Sequence, residues 1–327
     1  MKISKSRVWF VIIVSFALLS GCGSKNSVKV IKLAHSLDTQ HPVHKALVFM
    51  ADRLEEKSNG SMKIDLYPGS QLGSERELIE LLQMGIIGIT KVSSATLENF
   101  VPSARLYGLP YIFNDHEHYW RVLKSDVGKK ILLDCEVYWL RGLGYYDAGS
   151  RSFYTKEKPV LSPADLTGLK IRVMKSQISV KTIQTLGGSA TPIVWGELYS
   201  ALQQGVVDAA ENNPPSFFFS RHYETCKYYS LDEHTSPPDM LLISKYQWNS
   251  LNAEEQQILQ EAVDESVEFQ RQLWNETEEE VLSKLKEAGV EIYHPDKEKF
   301  RKKVEPLYEE YKETELYNLL MMIREIK

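Results

Sequence analysis

Two arginines raise the first chemical question in this chain. Arg172 sits in a strand-like apolar run, Ile171-Arg172-Val173, and Arg151 follows Gly149-Ser150. A guanidinium stays charged and presents a rigid fork of donors that matches a carboxylate in two parallel bonds. In such settings either arginine could grip an anionic ligand, pair with an acid on a neighbouring helix, or brace a hinge. Asn212 stands just before Pro214-Pro215, where it could cap a turn or add a donor without adding charge. Trp195 offers either core volume or a flat apolar face. Glu75 lies in the first turn of a helical pattern, where an acid suits the helix dipole, yet it could also accept bonds from hydroxyls. His35 could be a satisfied core histidine or a donor and acceptor facing a ligand.

Other chemistries lack their patterns. His41 and His44 are three apart and His116 and His118 two apart, without nearby cysteines or His-Glu-x-x-His spacing. No metal site is expected. No Gly-x-Ser-x-Gly elbow and no phosphate-cradling glycine loop occurs, so no catalytic residue is assigned and no cofactor is expected.

The elements that must position these side chains follow from periodicity. Lys29 to Ser36 reads as a strand, and His41-Pro42 opens a helix with Ala46, Leu47, Met50 and Leu54 on one face. Asn59-Gly60 stops that helix, and Met62 to Tyr67 alternates as a strand. Ser74-Glu75-Arg76-Glu77 has the form of a capping box, and Ile86 to Val92 is a third strand. This βαβαβ order predicts a largely parallel sheet covered by helices. Asp115 to Tyr138 reads as helical, and Leu143 to Tyr154 as one strand passing through Gly149-Ser150-Arg151. A second βαβ unit runs from about residue 149 through the strand Leu169 to Val173, helices at 180–186 and 195–204, and a strand at 206–208. Asn252 to Ala288 is a helical pattern of more than thirty residues without Pro or Gly, long enough to cross both units as a strut. The charged tail, Asp296 to Lys327, is also helical in pattern. Two α/β units on one chain suggest a clamshell, because ligands of open α/β sheets bind beyond the carboxyl ends of the strands.

The N-terminal segment reads as a targeting signal. Lys2, Lys5 and Arg7 precede an apolar run of twelve residues from Val8 to Leu19, too short to span a bilayer, followed by Leu19-Ser20-Gly21-Cys22. A cysteine at the cleavage point predicts a lipoprotein whose Cys22 thiol takes a diacylglyceryl group. The chain would then be extracytoplasmic, tethered to a membrane outer face in the periplasm or on the cell surface. The mature chain of 306 residues is of two-domain length. Loss of the three cations takes the net charge from -5 to -8, which argues against nucleic acid as a partner. Cys135 and Cys226 are expected to be buried free thiols.

Three runs carry a family resemblance: Gly69-Ser-Gln-Leu-Gly-Ser-Glu-Arg-Glu77, Asp165-Leu-Thr-Gly-Leu-Lys-Ile-Arg-Val173, and Thr191-Pro-Ile-Val-Trp-Gly-Glu-Leu-Tyr-Ser-Ala-Leu-Gln-Gln-Gly-Val-Val-Asp208, followed by Glu211-Asn212. The chain resembles the DctP-type solute-binding proteins of TRAP transporters, which work without ATP. The resemblance implies a two-lobe clamshell, each lobe a mixed sheet flanked by helices, with a shared long helix. Residues 22–148 with about 238–277 would form one lobe, and 149–237 with about 278–327 the other. It implies that Arg172 clamps a ligand carboxylate, aided by Arg151 and Asn212, with Trp195 over the ligand. It places His35, Glu75 and Ser93 on ligand-facing positions of the first lobe. Ala209 stands where a glycine is usual after the aspartate of the third run. The implied role is capture of a small organic acid for a two-part membrane permease, not catalysis. One carboxylate for the arginines and hydroxyls for Glu75 describe a sugar acid, with a hexuronate such as glucuronate or galacturonate favoured and a C4-dicarboxylate second. A surface enzyme acting on acidic sugars is the alternative from another class.

Overall fold

The computed structural model describes residues 28–327; the basic start, the apolar run and Cys22 lie outside them. The chain begins with β1 (Lys29–Ala34), α1 (Pro42–Lys57), β2 (Met62–Tyr67), α2 (Glu75–Gln83) and β3 (Ile89–Ser93). Then come α3 (His116–Lys124), α4 (Asp126–Asp134), β4 (Leu140–Tyr146), β5 (Arg151–Thr155), β6 (Lys170–Val173), α5 (Gln177–Leu186) and β7 (Ser189–Pro192). After them run α6 (Leu198–Gln203), β8 (Ala209–Asn212), α7 (Pro214–Phe219), β9 (Tyr228–Thr235) and β10 (Asp239–Ser244). The chain ends with α8 (Ala253–Glu287), β11 (Glu291–Tyr293), α9 (Lys297–Val304) and α10 (Tyr317–Glu325).

Two sheets result, with strand orders β2-β1-β3-β10-β4 and β11-β9-β5-β8-β6-β7. In the first, β1 is parallel to β2 and β3, while β10 is antiparallel to β3 and β4. In the second, β5 is antiparallel to β8 and β9, while β6 is parallel to β7 and β8. Both sheets are therefore mixed, and the architecture is the two-lobe α/β clamshell expected.

Local chemistry starts and stops the helices. Pro42 occupies the first turn of α1, where a missing N–H costs nothing, and His41 Nδ1 accepts from Val43 N at 3.2 Å. The capping box of α2 is formed, with Ser74 N donating to Glu77 Oε2 at 2.7 Å. Asn252 and Glu255 cap α8 reciprocally. The 35 residues of α8 extend about 50 Å. Its first half buries Leu259, Ala262 and Val263 in the first lobe's core; its second half buries Val281 and Leu285 in the second's.

Two chain crossings join the sheets side by side, residues 147–150 between β4 and β5 and residues 236–238 between β9 and β10. The expected single strand from Leu143 to Tyr154 is thus two strands in different sheets. Asp147 fixes the break: its N–H donates to Gln270 Oε1 at 2.8 Å and its C=O accepts from Gln270 Nε2 at 2.9 Å. Gly149 follows with φ +57°, and a Cβ there would lie 3.1 Å from the Trp274 ring, so the turn needs glycine on both counts.

Two further expectations change. Asp115 to Tyr138 is two helices, because Ser125 ends α3 and caps α4 through its Oγ. The grouping of residues 278–327 with the second lobe fails at its end. Leu319, Leu320 and Ile323 of α10 pack with Val122, Val127 and Ile131 of the first lobe, and His118 Nε2 donates to Ile323 O at 3.0 Å. Cys135 and Cys226 are buried and unpaired, as expected.

Candidate functional site

A cavity of about 90 Å³ lies between the lobes, at the carboxyl ends of β1 and β3 and beside both chain crossings. Its second-lobe wall starts from β6 and β8, which are parallel neighbours that end together at the cleft. Arg172 on β6 is only 2 % exposed. Its Nε donates to Ile193 O at 2.9 Å, its guanidinium carbon stands 5.6 Å from the centre of the Trp195 ring, and its buried Nη1 has no partner among the described residues. Burial, with Arg151 adding to it, lowers the Arg172 pKa to about 10, so the group remains charged at neutral pH.

Arg151 is the opposite case. Its Nε pairs with Glu211 Oε2, its Nη2 donates to Glu211 Oε1 at 3.0 Å and to Glu211 O at 2.6 Å, and its Nη1 donates to Asn212 Oδ1 at 2.6 Å. Burial alone would lower its pKa, but Glu211 reverses the direction and raises it. Asn212 Oδ1 also accepts from Asn213 N at 2.9 Å. Two donors on one oxygen fix the amide orientation, so Asn212 presents its Nδ2 hydrogens to the cavity.

The first-lobe wall carries its own charges. Lys91, in the middle of β3, bonds Asp239 Oδ2 at 3.0 Å and Glu75 Oε1 at 3.3 Å. Burial would lower the Lys91 pKa, but the two carboxylates, Asp239 before Glu75, raise it. Glu75 also accepts from Ser93 N at 3.2 Å and from Thr96 Oγ1 at 2.8 Å. Burial raises the pKa of Asp239 against the pull of Lys91. The lobes touch at the rim, where Glu98 of the first lobe accepts from the N–H groups of Gln177 and Ile178 that open α5. Asn99 Nδ2 donates to Lys175 O at 2.7 Å beside it.

Arg172, Arg151, Asn212, Trp195, Glu75 and Ser93 all line this one cavity. His35 does not. It is fully buried beneath the first lobe, where its Nδ1 accepts from Leu37 N at 3.2 Å and its Nε2 donates to His44 Nδ1 at 3.0 Å. Burial drives its pKa down to about 3, so it is a neutral core histidine. The ring that reaches the cavity is His41, whose Nε2 donates to Ser216 Oγ of the second lobe at 3.2 Å.

Comparison with known proteins agrees with this geometry. The family model described as DctP, bacterial extracellular solute-binding protein family 7, matches residues 33–314. The chain belongs to this family. The uncharacterized protein YiiZ of Salmonella typhimurium is 38% identical over 322 residues, covering 97% of this chain and 98% of its own length. A TRAP periplasmic solute-binding protein from Xanthobacter autotrophicus, solved with bound β-D-galacturonate, matches with TM-score 0.88 and 38% identity over 91% of this chain and 100% of that one. Another from Anaerococcus prevotii, solved with bound D-glucuronate, matches with TM-score 0.89 and 36% identity over 91% of this chain and 98% of that one. The family and these neighbours are solute-binding proteins. No helix among the described residues is long and apolar enough to cross a membrane.

In this DctP-family chain, sequence reasoning missed Lys91, Asp239, His41 and Trp274 as cavity residues. A lysine inside the apolar strand Ile89-Thr-Lys-Val-Ser93 was a usable signal, since an unpaired buried ammonium is not tolerated. Asp239 pairs with it from 148 residues away, and nothing local marks that contact. Trp274 comes from the shared helix, and its buried Nε1–H has no acceptor among the described residues.

Proposed function

We propose that this protein captures a hexuronate, glucuronate or galacturonate, between its lobes and delivers it to the membrane permease of a TRAP system. The carrying observation is the nearly fully buried Arg172, whose Nη1 has no partner among the described residues. The ligand carboxylate would meet that guanidinium, with Asn212 Nδ2 as a neutral second donor. Trp195 would lie along the sugar's C–H face. Glu75 and Asp239 on the opposite wall repel a second carboxylate and accept from hydroxyls, which favours a sugar acid over a C4-dicarboxylate. The uronates bound by the Xanthobacter and Anaerococcus proteins support the same choice.

His41, the one histidine on the cavity wall, has both ring nitrogens engaged, and the wall carboxylates Glu75 and Asp239 are both paired to Lys91. Binding without turnover is the reading that the family match supports. Cys22, at the end of the apolar run, carries the lipid that tethers the chain to the membrane outer face. Within the two lobes we place the boundary at the crossings, with α10 returning to the first lobe.

Calorimetry of the mature chain against D-glucuronate, D-galacturonate, succinate and glucose tests the substrate. A uronate should bind tightest, succinate more weakly and glucose not measurably. Tighter binding of succinate than of either uronate overturns the hexuronate assignment, and binding of none of the acids overturns the capture function.

A further inference from the structure

The first lobe carries an apolar patch at the pole farthest from the cleft. The pairing register defines that pole: Asp239, Ser93 and Tyr146 meet at the cleft end of the sheet, while Ser244, Ile89 and Leu140 meet at the far end. There Met84, Ile86, Leu133, Val137, Trp139 and Tyr246 are each more than half exposed, and they are half of the twelve exposed large apolar residues among the described ones. Met84, Ile86, Trp139 and Tyr246 are contiguous, and Leu133 and Val137 lie on the segment that leads into Trp139. Trp139 and Tyr246 stack at 5.1 Å with planes 10° apart, Tyr246 covers Gly85 between Met84 and Ile86, and Gln83 Nε2 donates to Tyr138 O at 2.9 Å. Exposed apolar clusters of this kind mark interaction surfaces.

The chain's own course says what covers the patch. β1 enters at this pole, and Lys29 Nζ bonds Ser250 O at 3.4 Å, on the short helix Lys245–Ser250 that bears Tyr246. Six residue steps separate Cys22 from Val28, a reach of roughly 20 Å even when fully extended. A lipid on Cys22 would therefore keep this pole close to the bilayer. Tyrosine and tryptophan rings suit the headgroup level, with one apolar face and one polar edge. Arg141 and Lys245 share Glu136 at the patch, and Lys130 and Lys29 pair with Asp134 and Glu255 beside it, so lysine and arginine side chains stand at its edge within reach of headgroups.

We propose that, between deliveries to the permease, this pole rests on the membrane surface, with Trp139 and Tyr246 at the lipid headgroups, so that the cleft opens away from the bilayer while it collects ligand. The proposal rests on the lipid-anchor reading of Cys22. The test uses the native lipidated protein in vesicles of phosphatidylethanolamine and brominated phosphatidylglycerol, with a fluorophore on Val137→Cys or, on the second lobe, Val206→Cys. Cys135 and Cys226 are buried and stay unlabelled. Quenching at 137 should exceed that at 206 at least twofold and should fall toward the 206 level when Trp139→Gln is added. Equal quenching at both positions overturns the docking, as does quenching at 137 that grows with protein density, which would assign the patch to a second copy. Mass spectrometry of the N-terminal peptide separates the two readings. Absence of a diacylglyceryl group on Cys22 removes the anchor and the orientation together, whereas a lipidated chain with no contrast removes the orientation alone.

Discussion

On the second-lobe wall of the cleft stand Arg172 and Arg151, the latter paired with Glu211; on the first-lobe wall stand Lys91, Glu75 and Asp239, and these three cations are buried. Arg151 is saturated by Glu211 and Asn212, and Lys91 is held by two carboxylates. Arg172 alone among the three has no carboxylate partner among the described residues. With every group ionised, these six sum to one positive charge on the second wall and one negative charge on the first; the exposed Lys175 and Arg76, which also line the cavity, add one positive charge to each, so the second wall stays the more positive. A ligand that satisfies both walls needs an anionic end and a hydroxylated end. The same contrast separates two jobs for arginine, one holding the wall together and the other left incomplete until a ligand arrives. An unpaired buried charge opposes the empty closed state, so the ligand drives closure by completing it.

Arg172→Ala is the largest blow to this comparison. A ligand carboxylate shut against the second wall without its cation loses about 2–5 kcal/mol, roughly thirtyfold to several thousandfold in affinity. The melting temperature of the unliganded protein should stay level or rise, since the variant removes an uncompensated buried charge. Calorimetry with a uronate and a thermal scan without it read the two effects. A loss of stability equal to the loss of binding would make Arg172 a structural residue.

Arg151→Ala should behave in the opposite sense. It leaves Glu211 buried without its partner, a cost of about 3 kcal/mol to the fold, and lowers the melting temperature by roughly 6–12 °C. Denaturation by urea gives the magnitude directly. If Arg151→Ala loses affinity as steeply as Arg172→Ala while keeping its melting temperature, the division of labour between the two arginines is wrong.

Glu75→Gln sharpens the other wall. The amide keeps an acceptor for Thr96 but removes one of the charges facing Lys91. Repulsion of a second carboxylate falls by about 1 kcal/mol, so succinate should gain roughly fivefold relative to a uronate. An unchanged ratio would show that Glu75 does not select against dicarboxylates.

The second wall was the more legible one, and the reason is physical. Arg172, Arg151, Asn212 and Trp195 lie in or next to runs whose strand and turn patterns are local, so motif and geometry coincide. The first wall is assembled from distant segments. Lys91 meets Asp239 only because β10 returns from the second sheet to pair with β3, and no local periodicity encodes that return. His35 was misplaced because it closes β1 with its side chain pointing inward, while His41, at the cap of α1, turns toward the cleft. Gly149-Ser150 reads from the sequence as part of one continuous strand, not as the point where the chain leaves one sheet for the other. That change depends on Asp147 being gripped by Gln270 of the strut.

The smallest effect compares the lobes by titration. His35 in the first lobe and His222 in the second are both held near pKa 3, chiefly by burial, with Arg172 adding to the effect at His222. Each is neutral in the fold but takes a proton in the unfolded chain below about 6.5. The unfolded state therefore binds more protons as the pH falls, and stability present above pH 6.5 is lost progressively from there down to about pH 3. Between pH 7 and pH 6 each histidine should cost about 0.7 kcal/mol of unfolding free energy. His35→Gln and His222→Gln should each flatten the profile over that interval by the same amount, even if their stabilities at pH 7 differ. Equal flattening means that the strut makes the two lobes unfold as one unit; flattening in only one of two separate transitions means that each lobe melts alone, and that α8 couples ligand closure but not stability.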